Sequence, residues 1–117
     1  MKKLLLISLV IFFTICSRSW ALPECDGSPQ TGGSTYNWNN CIGIFNWSDG
    51  GKYIGEWKNG KRTGQGAITY ANGDKYFGQF FNNKSHGYGF ISPFGKSWGL
   101  KGTFRNHRQK DTKRITI

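Results

Sequence analysis

Two histidines, six carboxylates and three cysteines are all that this 117-residue chain offers for building an active site or a metal centre. His86 precedes Gly87 and His107 stands near the C-terminus. Neither has a Ser, Cys or carboxylate at a spacing that suggests a triad or a metal site, so each reads as a solvated turn residue and no catalytic residue is assigned. Gly55 to Lys61 spells G-x-x-x-x-G-K, the opening of a phosphate-binding loop. Arg62 stands where Ser or Thr would hold magnesium, and no helix follows to point its N-terminus at phosphate, so the segment reads as a turn. Gly64-Gln65-Gly66 and Gly87-Tyr88-Gly89 lack the third glycine and the flanking strand and helix of a dinucleotide fingerprint. No cofactor or metal is expected, and a binding or structural role precedes an enzymatic one.

The N-terminus reads as an export signal. Met1-Lys2-Lys3 is a positive n-region, Leu4 to Cys16 is an apolar run of 13 residues, and Ser19-Trp20-Ala21 offers a small-x-small cleavage site after Ala21. Thirteen residues fall short of the roughly 20 needed to span a bilayer as a helix. Phe13-Thr14-Ile15 places large residues before Cys16, which argues against lipidation of that cysteine. Export to the periplasm or the medium leaves Cys25 and Cys41 in an oxidising compartment. One disulfide is the simplest outcome, since the pair lacks a nearby histidine and does not match zinc-ligand spacing.

The charge of +10 shrinks on dissection. Removing residues 1–21 takes away Lys2, Lys3 and Arg18, leaving 13 positive and 6 negative side chains, or +7. Residues 96–117 hold seven of those cations against Asp111 alone, while residues 22–95 are nearly neutral with six against five. Lys101, Arg105, Arg108, Lys110, Lys113 and Arg114 are therefore the candidate anionic-partner residues, against the alternative of a solvated edge strand and tail.

What positions these residues is a 23-residue repeat. Tyr53-Ile54-Gly55-Glu56-Trp57-Lys58-Asn59-Gly60-Lys61 returns as Tyr76-Phe77-Gly78-Gln79-Phe80-Phe81-Asn82-Asn83-Lys84, and Gly64-Gln65-Gly66 returns as Gly87-Tyr88-Gly89. A third copy begins at Leu100 after one inserted residue, and Cys41-Ile42-Gly43 marks a partial unit upstream. Lys52 to Trp57 and Gln65 to Tyr70 alternate with period two and flank a turn over Lys58 to Gly64, which predicts a hairpin. Asn72-Gly73 is expected to supply the positive-φ pair of a tight turn into the next strand at Lys75. The fold class is thus an all-β, elongated antiparallel meander. Tyr53, Gly55 and Trp57, and then Tyr76, Gly78 and Phe80, share one face. Glycine recurring beside aromatics in mid-strand predicts rings lying over bare backbone.

The pattern Tyr-x-Gly-x-aromatic-x-Asn-Gly-Lys, followed by Gly-x-Gly and Asn-Gly-Asp-x-Tyr, resembles the MORN repeat (membrane occupation and recognition nexus) over roughly residues 41–108, in a small exported bacterial form. Asn83 departs from the turn glycine, Leu100 from the tyrosine, and Gln30 to Asn40 is degenerate. Residues 22–40 are expected to be a lead-in and cap, and 109–117 a basic tail. Lys101, Arg105 and Arg108 would sit on the last strand, where charge discourages edge pairing.

The resemblance implies scaffolding, protein contact and membrane association. The repeats fill the exported chain, leaving no room for the catalytic domains to which such repeats are sometimes appended. The expected function is a non-catalytic interaction module of the cell envelope, with an anionic membrane surface as the alternative partner. A second copy of the chain remains an option, nucleic acid is disfavoured by export, and a small exported enzyme is the remote alternative.

Overall fold

The computed structural model describes residues 21–117, so the expected signal segment 1–21 lies, but for Ala21, outside the described residues. Eight strands follow one another in a single sheet in strict sequence order. They are β1 (Gln30–Thr31), β2 (Cys41–Asn46), β3 (Lys52–Lys58), β4 (Lys61–Thr69), β5 (Lys75–Phe81), β6 (Lys84–Ser92), β7 (Trp98–Arg105) and β8 (Arg108–Thr116). All neighbours pair antiparallel except β1, which lies parallel to β2. The result is the open, elongated meander that the repeat predicts. Residues 109–117, expected as a tail, instead fall almost wholly within β8, so β8 and not β7 forms the C-terminal edge.

The register explains the glycines. Gly43, Gly55, Gly66, Gly78, Gly89 and Gly102 pair in succession, forming a glycine row across β2 to β7. Tyr53 and Tyr76 are fully buried, and their rings lie over this row. A Cβ on Gly66 would sit 2.6 Å from Cζ of Tyr53, and the same contact recurs between Gly89 and Tyr76. Each hydroxyl donates across the row to a backbone carbonyl, Tyr53 to Glu56 at 3.0 Å and Tyr76 to Gln79 at 2.9 Å. Burial pushes both phenols up, Tyr76 to about 12.

The first glycine of each Gly-x-Gly has a different task. Gly64 and Gly87 have φ of 55° and 96° and lie where the register shifts, a conformation that costs glycine little. The side chain of Glu56 accepts from the N–H of Gln65 there, and Gln79 Oε1 accepts from Tyr88 at 2.7 Å.

With one sheet and no second layer among the described residues, the core is a file of rings. Trp38, Trp57, Tyr53, Phe80, Tyr76 and Phe104 meet in near-perpendicular pairs with centroids 5.0–5.2 Å apart. Edge-to-face pairs of this kind add about 0.5–1.5 kcal/mol each beyond area burial. Trp38 closes the file from the N-terminal segment, donating its Nε1–H to the Asp26 backbone carbonyl at 2.6 Å. Beside it, Cys25 and Cys41 form the expected disulfide.

The turns depart from expectation. The hairpin between β3 and β4 needs only Asn59-Gly60, with φ of 51° and 74°, and not the span Lys58 to Gly64. Equivalent positive-φ pairs are Asn82-Asn83 and Asn106-His107. Such paired left-handed residues match the twist of the flanking strands, and asparagine tolerates them. Asn72-Gly73 is not such a pair. Only Gly73 is left-handed, and Tyr70 brackets a three-residue loop by accepting from Gly73 and donating to Asp74.

Candidate functional site

Three surfaces follow from this geometry. The first is the outer face of the sheet, opposite the ring file. Ile44, Ile54, Ala67, Phe77, Phe90, Lys101 and Lys113 pair in succession as one row, apolar over five strands and cationic over the last two. No second layer covers it among the described residues, and Ile54, Phe77 and Tyr88 remain 44%, 47% and 58% exposed. A cavity of about 370 Å³ opens there, with Phe77, Tyr88 and Phe90 as its apolar wall and Gln65, Gln79 and Lys101 as its polar rim.

The second surface lies at one end of the sheet, where alternate hairpins bring three tips together. Arg105 and Arg108 pair directly across the last tip. Lys110 is the extra residue of the irregularity at Thr103/Phe104, and Lys84 leads away from the neighbouring tip. These four cations and Asn106 line a cavity of about 520 Å³ that no carboxylate lines. Lys58 and Lys61 line a second cavity of about 260 Å³ at this end.

The structure therefore divides the six expected cationic residues. Arg105, Arg108 and Lys110 converge, whereas Lys101 and Lys113 pair on the outer face. Arg114 stacks its guanidinium 4.1 Å from the centroid of the Trp98 ring. Lys84 is the residue that the sequence reading missed. Its signal lay in the repeat, since Lys61 and Lys84 are 23 residues apart and Arg108 follows after 24.

The third surface surrounds Arg62. Its guanidinium lies 5.4 Å from the Trp47 ring centroid and 5.9 Å from that of Tyr53, beside a cavity of about 260 Å³ that Tyr70 and Asp49 also line. Burial lowers its pKa, opposed by Tyr70 and Tyr53. Asn83 Oδ1 accepts from its backbone N–H at 2.9 Å, which ties the first tip to the second.

His107 serves the same stacking, whereas His86, expected as a solvated turn residue, lies within β6. His107 donates its backbone N–H to the Ser85 carbonyl at 3.1 Å, and its Nδ1 accepts from the Ser85 N–H at 3.3 Å. Ser85 Oγ lies 3.1 Å from that nitrogen, a pairing across 22 residues that sequence spacing does not reveal. Burial, then Arg62 and Lys84, push the His107 pKa down. Ser85 is only 3% exposed, so the pair acts as a strut between tips. His86 Nδ1 is buried without a hydrogen-bond partner among the described residues. Among the described residues no three His, Cys, Asp or Glu side chains come together as a metal site.

A family model described as MORN repeat matches residues 53–75 and 76–92. The chain thus carries MORN repeats over residues 53–92, spanning β3 to β6. MORN repeats are typically non-catalytic binding modules. The glycine row extends the same architecture to Gly43 on one side and Gly102 on the other. No curated protein matches the chain.

Proposed function

We propose that this protein is a small exported MORN-family interaction module of the cell envelope, one that holds a protein partner on its outer face and performs no catalysis. The uncovered row from Ile44 to Phe90 supports the reading. A sheet ordinarily buries one face in a core and wets the other with polar side chains, whereas here both faces are apolar at their centre. Phe77 and Tyr88 are large rings with little conformational entropy to lose, the residue types that anchor interfaces. Export supplies the setting, with cleavage after Ala21 and the disulfide between Cys25 and Cys41 fitting an oxidising compartment.

The test is recovery of partners from the native host with tagged wild type and with Phe77→Ser/Tyr88→Ser. Loss of a specific partner with unchanged circular dichroism supports the reading; an identical set of partners from both proteins overturns it. A second reading, an anionic membrane surface as partner, draws on the ordering of Lys101, Arg105, Arg108, Lys110, Lys113 and Arg114 on two adjacent strands. It predicts sedimentation with anionic vesicles that neutralising all six abolishes.

A further inference from the structure

The cavity at the last hairpin tip is charged in a way that the fold does not need. Arg105 and Arg108 face one another directly across a two-residue turn, and like charges so placed destabilise a hairpin. Keeping the sheet edge from pairing with another chain would need only charges along the outer edge of β8. It does not require Lys84 on β6 to converge with β7 and β8 on the same space. The Ser85–His107 strut fixes the two tips against each other, so the cations from both hairpins are held around one volume. The tip turns themselves are two-residue turns, with Asn82-Asn83 and Asn106-His107 in paired left-handed conformations.

Four unit charges around one cavity, with no carboxylate in its lining, concentrate anions and leave the repulsion between them uncompensated. The two guanidiniums offer planar forks suited to bidentate contact with oxyanions, and the two ammoniums add mobile donors. A lone carboxylate brings one charge. A phosphate monoester brings nearly two, with three acceptor oxygens that donors converging from three strands can share.

We infer that the cavity formed by Lys84, Arg105, Arg108 and Lys110 is a binding site for a phosphate group, with Asn106 as an additional donor. The neighbouring tip carries a separate cavity with two more cations. Lys58 and Lys61 line the adjacent cavity at the same sheet end, one hairpin pair removed from Lys84, so successive tips are spaced by two strands, about 10 Å. Linked phosphates bring more negative charge to the four cations than a single one and are preferred on that ground. The site stands apart from the outer-face protein reading. It also differs from the six-residue membrane reading, because it requires Lys84 and excludes Lys101, Lys113 and Arg114.

The experiment is calorimetric titration of the protein with inorganic phosphate and with tripolyphosphate at about 0.15 M salt, beside sedimentation with vesicles of phosphatidylcholine with or without phosphatidic acid. Two variants remove equal charge, Arg105→Gln/Arg108→Gln inside the cavity and Lys101→Gln/Lys113→Gln outside it. All four side chains are exposed, and circular dichroism checks that both variants fold. Saturable tripolyphosphate binding should weaken at least about tenfold in the first variant and less than about twofold in the second. Binding to phosphatidic-acid vesicles without binding of free phosphates, with the same dependence on the variants, assigns the phosphate to a lipid headgroup. Equal losses in the two variants, or no binding in either arm, overturn the inference.

Discussion

Replacing Gly66 with alanine should be among the most damaging conservative changes in this chain, and the structure states why. Gly66 does not have a left-handed φ, so alanine meets no backbone strain there. The added methyl instead enters the Tyr53 ring, 2.6 Å from both Cε2 and Cζ. That ring is fully buried and meets Trp57 on one side and Phe80 on the other, both about 5 Å away between centroids. It can retreat only by disturbing the ring file and its own bond to the Glu56 carbonyl. Overpacking costs about 1–3 kcal/mol and the lost hydrogen bond about 1 kcal/mol, so a total near 3 kcal/mol is expected. For a domain of this size that lowers Tm by roughly 12–24 °C. Urea unfolding followed by tryptophan fluorescence measures it, in a cycle with Tyr53→Leu. With the ring gone, the same Gly66→Ala change should cost less than about 0.5 kcal/mol, because the two positions are coupled only through that contact. An equal cost in both backgrounds would refute the claim that rings over bare glycine backbone hold the sheet together.

Three further outcomes follow from the same geometry. Replacing Cys25 and Cys41 together by alanine should cost about 3 kcal/mol in chain entropy and loosen Trp38 first, visible as a red shift of its fluorescence before global unfolding. His107 has a folded pKa below its unfolded value of about 6.5, so the native state binds fewer protons than the unfolded chain. Its contribution to stability is complete above that pH and declines as pH falls through about 6.5 toward the lowered value; His107→Asn, which keeps an acceptor and tolerates the left-handed turn, should flatten urea midpoints between pH 7.5 and 5. Phe77→Ser/Tyr88→Ser should change stability by no more than about 0.5 kcal/mol per site, since neither ring is buried, and a larger loss in urea unfolding would show that the outer face is structural.

The fold was legible because the repeat states its own register. Tyr53, Gly55 and Trp57 recur as Tyr76, Gly78 and Phe80, which fixes the face, the period and the ring-over-glycine packing. The turns were less legible, because the first unit holds two Asn-Gly pairs and only the strand length decides which is left-handed throughout; Asn59-Gly60 took that role and Asn72-Gly73 did not. Residues 109–117 read as a tail because Arg108 to Arg114 is almost wholly polar, yet an edge strand has no need of an apolar face when its partner supplies the hydrogen bonds. The cation cluster was only half visible. Chain order separates Lys84 from Arg105, and stacking of alternate hairpins reunites them.

The uncovered outer face of the sheet is proposed to hold a protein partner. Its most direct test places a photo-crosslinking residue at position 77, at position 88 and, as a control, at exposed position 72 in the loop between β4 and β5, in the native host. One discrete adduct of a partner protein is expected from positions 77 and 88 and none from 72. No adduct from the outer face, or equal labelling from all three positions, would contradict it.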